Sequence, residues 1–103
     1  MAIRTVSIFQ VTAGKRDDFL KESEQAKAIA TRLGARFRLG EMIVGGAQTG
    51  QMVVTQEFDD LAAYGAFTQK RAADREWQDF QKVAHKAGAS NSLVSRTIVQ
   101  DLM

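Results

Sequence analysis

Two periodicities alternate along the chain, and the places where one gives way to the other divide it into elements. From Ile3 to Val11, β-branched and aromatic residues predominate. Ile3, Thr5, Ser7 and Phe9 fall on one face of an extended chain, and Arg4, Val6, Ile8 and Gln10 on the other. This predicts a first strand. Thr12-Ala13-Gly14 breaks the pattern, and Asp17 and Asp18 then stand where carboxylates complement the positive end of a helix dipole. Phe19, Ser23, Ala26, Ala30 and Leu33 recur at steps of three and four, flanked by Ile29, up to Gly34, which suits a left-handed cap. A helix over residues 15–33 follows.

Alternation returns between Ala35 and Val44, with Phe37, Leu39 and Ile43 set against Arg36, Arg38 and Met42. The segment GGAQTG joins this second strand to a third over Gln51–Phe58, a hairpin with a connection longer than the tightest turns. Asp59 or Asp60 can cap the next helix, whose inner stripe reads Leu61, Tyr64, Gly65, Thr68 and Ala72 with Phe67 at its edge. A glycine inside a helix costs up to about 1 kcal/mol against alanine, so Gly65 points to close approach of the sheet or to space left for something else. The phase resets at Ala73-Asp74. Asp74 can cap a further helix with the stripe Trp77, Phe80, Ala84 and Ala87, ended by Gly88, and AGASN leads into a fourth strand, Leu93–Asp101.

With right-handed crossovers in each βαβ half, this order predicts an α+β, ferredoxin-like βαββαβ domain, a four-stranded antiparallel sheet with helices on one face. A length of 103 residues fits one such domain over 1–103. Both sheet faces carry apolar residues, Val53 on one side of the third strand and Met52 and Val54 on the other. Helices can cover only one of those faces, so the other predicts a homodimer.

Composition narrows the function classes. A hydrophobic content of 45% and a charged content of 25% are those of an ordinary soluble globular protein, and no apolar run is long enough for a membrane span. The formal charge of +2 comes without a block of one sign, so no nucleic acid partner is expected. An RNA-binding sheet of this topology also needs stacking aromatics on its central strands, where the third strand offers Met52 and Val54 and only Phe58 at its end. The absence of cysteine excludes disulfides, thiolate zinc sites and cysteine nucleophiles. MAIRTVSIFQ lacks the pattern of a signal peptide, which makes the cytoplasm the expected location.

The first junction, Gly14-Lys15-Arg16-Asp17-Asp18-Phe19-Leu20, together with EFDDLAAYGAF and DREWQDF, resembles the NIPSNAP-like branch of the dimeric α/β-barrel superfamily. Relatives in that superfamily include antibiotic-biosynthesis-type monooxygenases, haem-degrading monooxygenases and EthD-like proteins. The resemblance spans nearly the whole chain, but it rests on structural junctions and not on chemistry. Proline commonly precedes the glycine of the first junction in such proteins, whereas Ala13 stands here and the chain has no proline. The resemblance implies two sheets packed face to face in a homodimer, with a small pocket between sheet and helices in each subunit.

Candidate ligand-binding residues are few. His85 is the only histidine, so one chain cannot supply several imidazoles to a metal. It is also the only usual axial ligand for haem, although a lone histidine at the flank of a helical stripe more often serves no catalytic purpose. No metal and no cofactor are expected. Arg36 and Arg38 share one strand face, where two guanidiniums could fork onto a carboxylate or phosphate, or else cover an exposed face and pair with carboxylates. Tyr64 and Trp77 combine apolar area with a polar handle, which suits either a pocket lining or a core. Gly14-Lys15 lacks the rest of a P-loop, GGAQTG precedes a strand and not a helix, and no serine sits in a nucleophile elbow. Two readings remain: a dimeric protein that binds a small molecule or a partner protein, and, as the alternative, a cofactor-independent monooxygenase acting on a small aromatic substrate. The enzyme reading requires a closed pocket of a few hundred Å³ lined by aromatics and by at least one of Tyr64, Arg36, Arg38 and His85.

Overall fold

The alternation in the first segment becomes strand β1 (Ile3–Val11), and the dipole-complemented run becomes helix α1 (Arg16–Arg32). They are followed by β2 (Arg36–Glu41), β3 (Met52–Phe58), α2 (Leu61–Ala73), α3 (Arg75–Ala84) and β4 (Asn91–Gln100). A computed structural model describes residues 1–84 and 89–103. The predicted Ala87 and Gly88 at the end of α3 lie outside the described residues.

All strand pairs are antiparallel, in the order β2-β3-β1-β4. This is the ferredoxin-like α+β arrangement, with the helices on one face. Helix α1 packs on β2, α2 on β3, and α1 also meets α3. Gly34, at φ +109°, turns the chain out of α1 as its position predicted. Asp60 caps α2, its Oδ1 accepting the Ala63 N–H at 2.7 Å, and Asp74 Oδ2 caps α3 by accepting the Trp77 N–H at 2.9 Å. Arg32, at the end of α1, donates to the same Asp74 oxygen and to Glu76, both at 2.9 Å. The junction of α2 and α3 is thereby tied to α1.

Three details depart from the periodicity. Strand β2 ends at Glu41 and not at Val44, because Gly45 to Thr49 fold into a short 3-10 turn in which Gly45 N–H donates to Thr49 Oγ1. Ile43 and Val44 consequently project into solvent, 82% and 89% exposed. The inner stripe of α2 is rotated: Phe67 is its buried centre, with Ala63 and Tyr64 packed beside it, while Leu61 is exposed. Register also puts Met52, Val54 and Phe58 against the helices. The uncovered face of the central strands therefore carries Val6, Ile8, Val53 and Thr55 and no aromatic side chain.

The core occupies one side of the inner sheet face. Ala30, Ala35, Phe37, Val54, Phe58 and Phe67 form a buried cluster, and the Phe58 ring lies 4.9 Å from Phe67 and 5.3 Å from Tyr64 between centroids. Gly65 borders this region, yet a Cβ built there meets nothing within 4 Å. Close approach of the sheet is not what the glycine provides.

Candidate ligand-binding pocket

The inner face changes character between its two halves. One row across the strands reads Phe37, Gln56, Thr5 and Ile98, and the next reads Leu39, Val54, Ser7 and Arg96. The β2–β3 side is mostly apolar and meets α1 and α2, whereas the β1–β4 side is largely polar. Over that polar side the helices do not close down on the sheet, and a cavity of about 370 Å³ lies between them.

Phe9 from β1, Phe19 from α1, Phe37 from β2, and Trp77 and Phe80 from α3 supply its aromatic walls. Phe9 and Phe19 pack at 5.9 Å and Trp77 and Phe80 at 5.4 Å between ring centroids, one pair from the strand and first helix, the other from α3. Ser7, Gln56, Glu22, Arg71 and Arg96 are among its polar lining. Ser92, Leu93 and Arg96 are exposed, so the cavity opens toward solvent along β4 and is not the closed chamber that the enzyme reading required.

Each polar group is held in a particular way. Arg96 Nε donates to Ser7 Oγ at 2.9 Å, directly across the β1–β4 ladder, which pins one edge of the guanidinium to the sheet. Arg71 comes from the last turn of α2, and its Cζ lies 5.1 Å from the ring centroids of both Phe67 and Trp77. Burial pushes the Arg71 guanidinium below the usual arginine value, repulsion from Arg96 adds to this, and the Tyr64 phenol acts in the opposite direction. Glu22 Oε2 accepts from the buried Ser90 Oγ at 2.7 Å. The buried Oε1 of Gln56 has no hydrogen-bond partner among the described residues.

Of the candidates from the sequence, Trp77 lines the cavity. Its backbone is fixed by the Asp74 cap, so the ring is placed by the same carboxylate that Arg32 holds. Tyr64, on α2, packs against the core cluster beside Phe58 and is not part of the lining. Arg36 and Arg38 lie on the opposite face of the sheet, because their strand positions pair with Glu57 and Thr55 and not with the inward Gln56. Arg36 bonds Glu57 and Asp59 there, both at 3.1 Å. His85 lies outside the described residues. The cations that do reach the pocket, Arg71 and Arg96, were hidden by pattern: Arg71 follows Phe67 by four residues on the rotated stripe, and Arg96 occupies an inward position of an alternating strand. Among the described residues, no three His, Cys, Asp or Glu side chains cluster as metal ligands would.

Solved structures with this arrangement are numerous. A NIPSNAP domain protein from Burkholderia xenovorans is 26% identical, with a TM-score of 0.72 over 96% of this chain and 90% of its own. A NIPSNAP family protein from Agrobacterium tumefaciens is 22% identical, with a TM-score of 0.76 over 97% of this chain and 92% of its own. SnoaB, a cofactor-independent oxygenase from Streptomyces nogalater, is 13% identical, with a TM-score of 0.69 over 99% of this chain and 94% of its own. The fold is that of the dimeric α/β-barrel superfamily. The NIPSNAP and antibiotic-biosynthesis-monooxygenase-like proteins are its structural neighbours, as the first junction and the α2–α3 segment suggested. No protein-family model matches the chain, and no curated protein matches it.

Proposed function

We propose that this protein is a homodimer that binds a small organic molecule in the cavity between sheet and helices of each subunit. The observation that carries the reading is the contrast within one sheet face, where close packing over β2–β3 stops and a 370 Å³ space with five aromatic side chains begins. Protein interiors close such spaces unless something else occupies them, and pockets of a few hundred Å³ with apolar walls and a few convergent polar groups are the usual form of a ligand site.

The dimer follows from the opposite face. Val6, Ile8, Val53 and Val99 stand there with no helix above them. The chain is a slab 17 Å thick with a radius of gyration of 14.0 Å, against about 13 Å expected for a rounded domain of this length. A second sheet laid on that face would give the apolar residues a partner.

Cofactor-independent oxygenation of a small aromatic substrate is the second reading. It has the aromatic lining and two cations able to stabilise a substrate anion in its favour. It ranks second because the lining carboxylate, Glu22, is engaged by Ser90 and does not stand as a ready base.

Trp77 is the only tryptophan, so its indole N–H gives one resonance that reports on the cavity. A set of one- to three-ring aromatic compounds should include members that move this resonance in the wild type. Ala26→Leu, which enlarges a lining residue, should abolish the effect while the fold is kept. Binding that is unchanged in Ala26→Leu would sink the pocket reading. Sedimentation that found a monomer at micromolar concentration would remove the dimer.

A further inference from the structure

Eight arginines occur in the chain, and five of them, Arg4, Arg16, Arg32, Arg36 and Arg75, meet a carboxylate at 3.5 Å or less. Among the described residues, the three without such a partner are Arg38, on the exposed outer face, and Arg71 and Arg96, which both reach the cavity. Two cations without a carboxylate partner facing one aromatic-walled space are a costly arrangement for Arg71, since its burial and the repulsion from Arg96 both oppose the charge. It becomes favourable when an anion lies between them.

We infer that the pocket selects a small aromatic carboxylate, with the carboxylate between Arg71 and Arg96 and the rings between the Phe9/Phe19 and Trp77/Phe80 pairs. This deepens the proposed function and rests on the cavity being a ligand site. Pinning of Nε by Ser7 leaves the terminal nitrogens of Arg96 as a two-pronged donor, the geometry that matches a planar carboxylate. Arg71, held by the Phe67 and Trp77 rings, presents a fixed charge without the rotamer entropy a free side chain would lose on binding. Burial and the nearby Arg96 both disfavour the charged form of Arg71, and the attraction of a bound anion offsets them. Glu22 does not neutralise the pair, being bonded to Ser90 and outside ion-pair distance of either arginine. The volume suits a body of about two or three rings.

The test uses the full-length protein labelled with ¹⁵N, following the single indole resonance during titration with 2-naphthoate and with its neutral counterpart 2-naphthamide. The acid should bind at least about tenfold more tightly, as expected for charge-assisted hydrogen bonds in a partly buried site. Arg71→Gln and Arg96→Gln should each remove most of that preference, weakening the acid far more than the amide. Arg71→Lys and Arg96→Lys, which keep the charge, should restore part of it, an outcome that a purely structural role for the arginines would not produce. Circular dichroism and thermal melts check each fold, and Arg96, on an exposed strand, carries the test if Arg71→Gln does not fold. Equal binding of acid and amide, or a preference that survives in both glutamine variants, overturns the carboxylate inference and leaves the pocket reading standing. A resonance that no aromatic compound moves overturns both.

Discussion

The two halves of the inner sheet face are built from the same kinds of element and packed to opposite ends. Over β2 and β3, rings from strand and helix interlock, and Phe58 and Phe67 are 2% and 3% exposed. Over β1 and β4, the strands present Thr5, Ser7 and Arg96, and the aromatics of α3 stand away from them around a cavity. Ser7 is itself buried and accepts from Arg96 Nε, so the sheet pairs this polar group while the helix layer leaves a cavity beside it. Close packing is therefore concentrated in one half of the face and the cavity in the other.

The largest difference should come from truncating one aromatic in each half. Phe67→Ala should cost about 3–5 kcal/mol, a large share of the about 5–15 kcal/mol that holds a domain of this size, and Phe80→Ala should cost clearly less because its ring already borders space. Urea melts of the two variants measure this, and equal losses would erase the distinction between core and pocket.

Asp74 links the halves, since it holds Arg32 of α1 and the backbone of Trp77. Asp74→Asn should lower the thermal midpoint at neutral pH. The hydrogen bond from Arg32, followed by that from the Trp77 backbone, keeps the Asp74 carboxyl below its ordinary 3.8. A carboxyl with a depressed folded-state value adds stability that is present above the ordinary value and is lost as pH falls through the lower one. The gap between wild type and Asp74→Asn should thus close on acidification below about pH 4, as followed by melts in a pH series. A gap that stays constant with pH would detach the carboxylate's charge from its role.

Arg71 stands at the border. Arg71→Met should change stability by no more than about 1 kcal/mol, because the lost attraction to two rings is offset by removal of a desolvated charge beside Arg96. A loss as large as that of Phe67→Ala would make Arg71 part of the core and not of the pocket. The smallest effect is expected at Gly65, where added volume meets open space. Gly65→Ala should raise stability by roughly 0.5–1 kcal/mol through helix propensity alone, and destabilisation would show that something closes on the position in solution.

Much of the architecture was legible because it rests on local rules. The aspartates at residues 60 and 74 cap helices, Gly34 supplies the left-handed exit from α1, and the period of each segment names its element. Local rules were weaker where a helix surface has more than one apolar arc. In α2 the reading favoured Leu61 and Tyr64, while the sheet took Phe67 as its centre. Of the two roles open to Arg36 and Arg38, the exposed face paired with carboxylates is the one Arg36 takes; alternation separates the pair from Phe37 without saying which face the helices will cover.

What the sequence determined by itself was the order and type of elements, and with them a fold shared with NIPSNAP-like proteins, since turns, caps and periods act within a few residues. Only the tertiary structure decided which polar residues meet. Ser7 and Arg96 are 89 residues apart and touch through the β1–β4 register, and Arg71 reaches the same space because α2 and α3 pivot at Asp74. Strand register and helix rotation are set by burial summed over the whole sheet face, a long-range balance that no local pattern records.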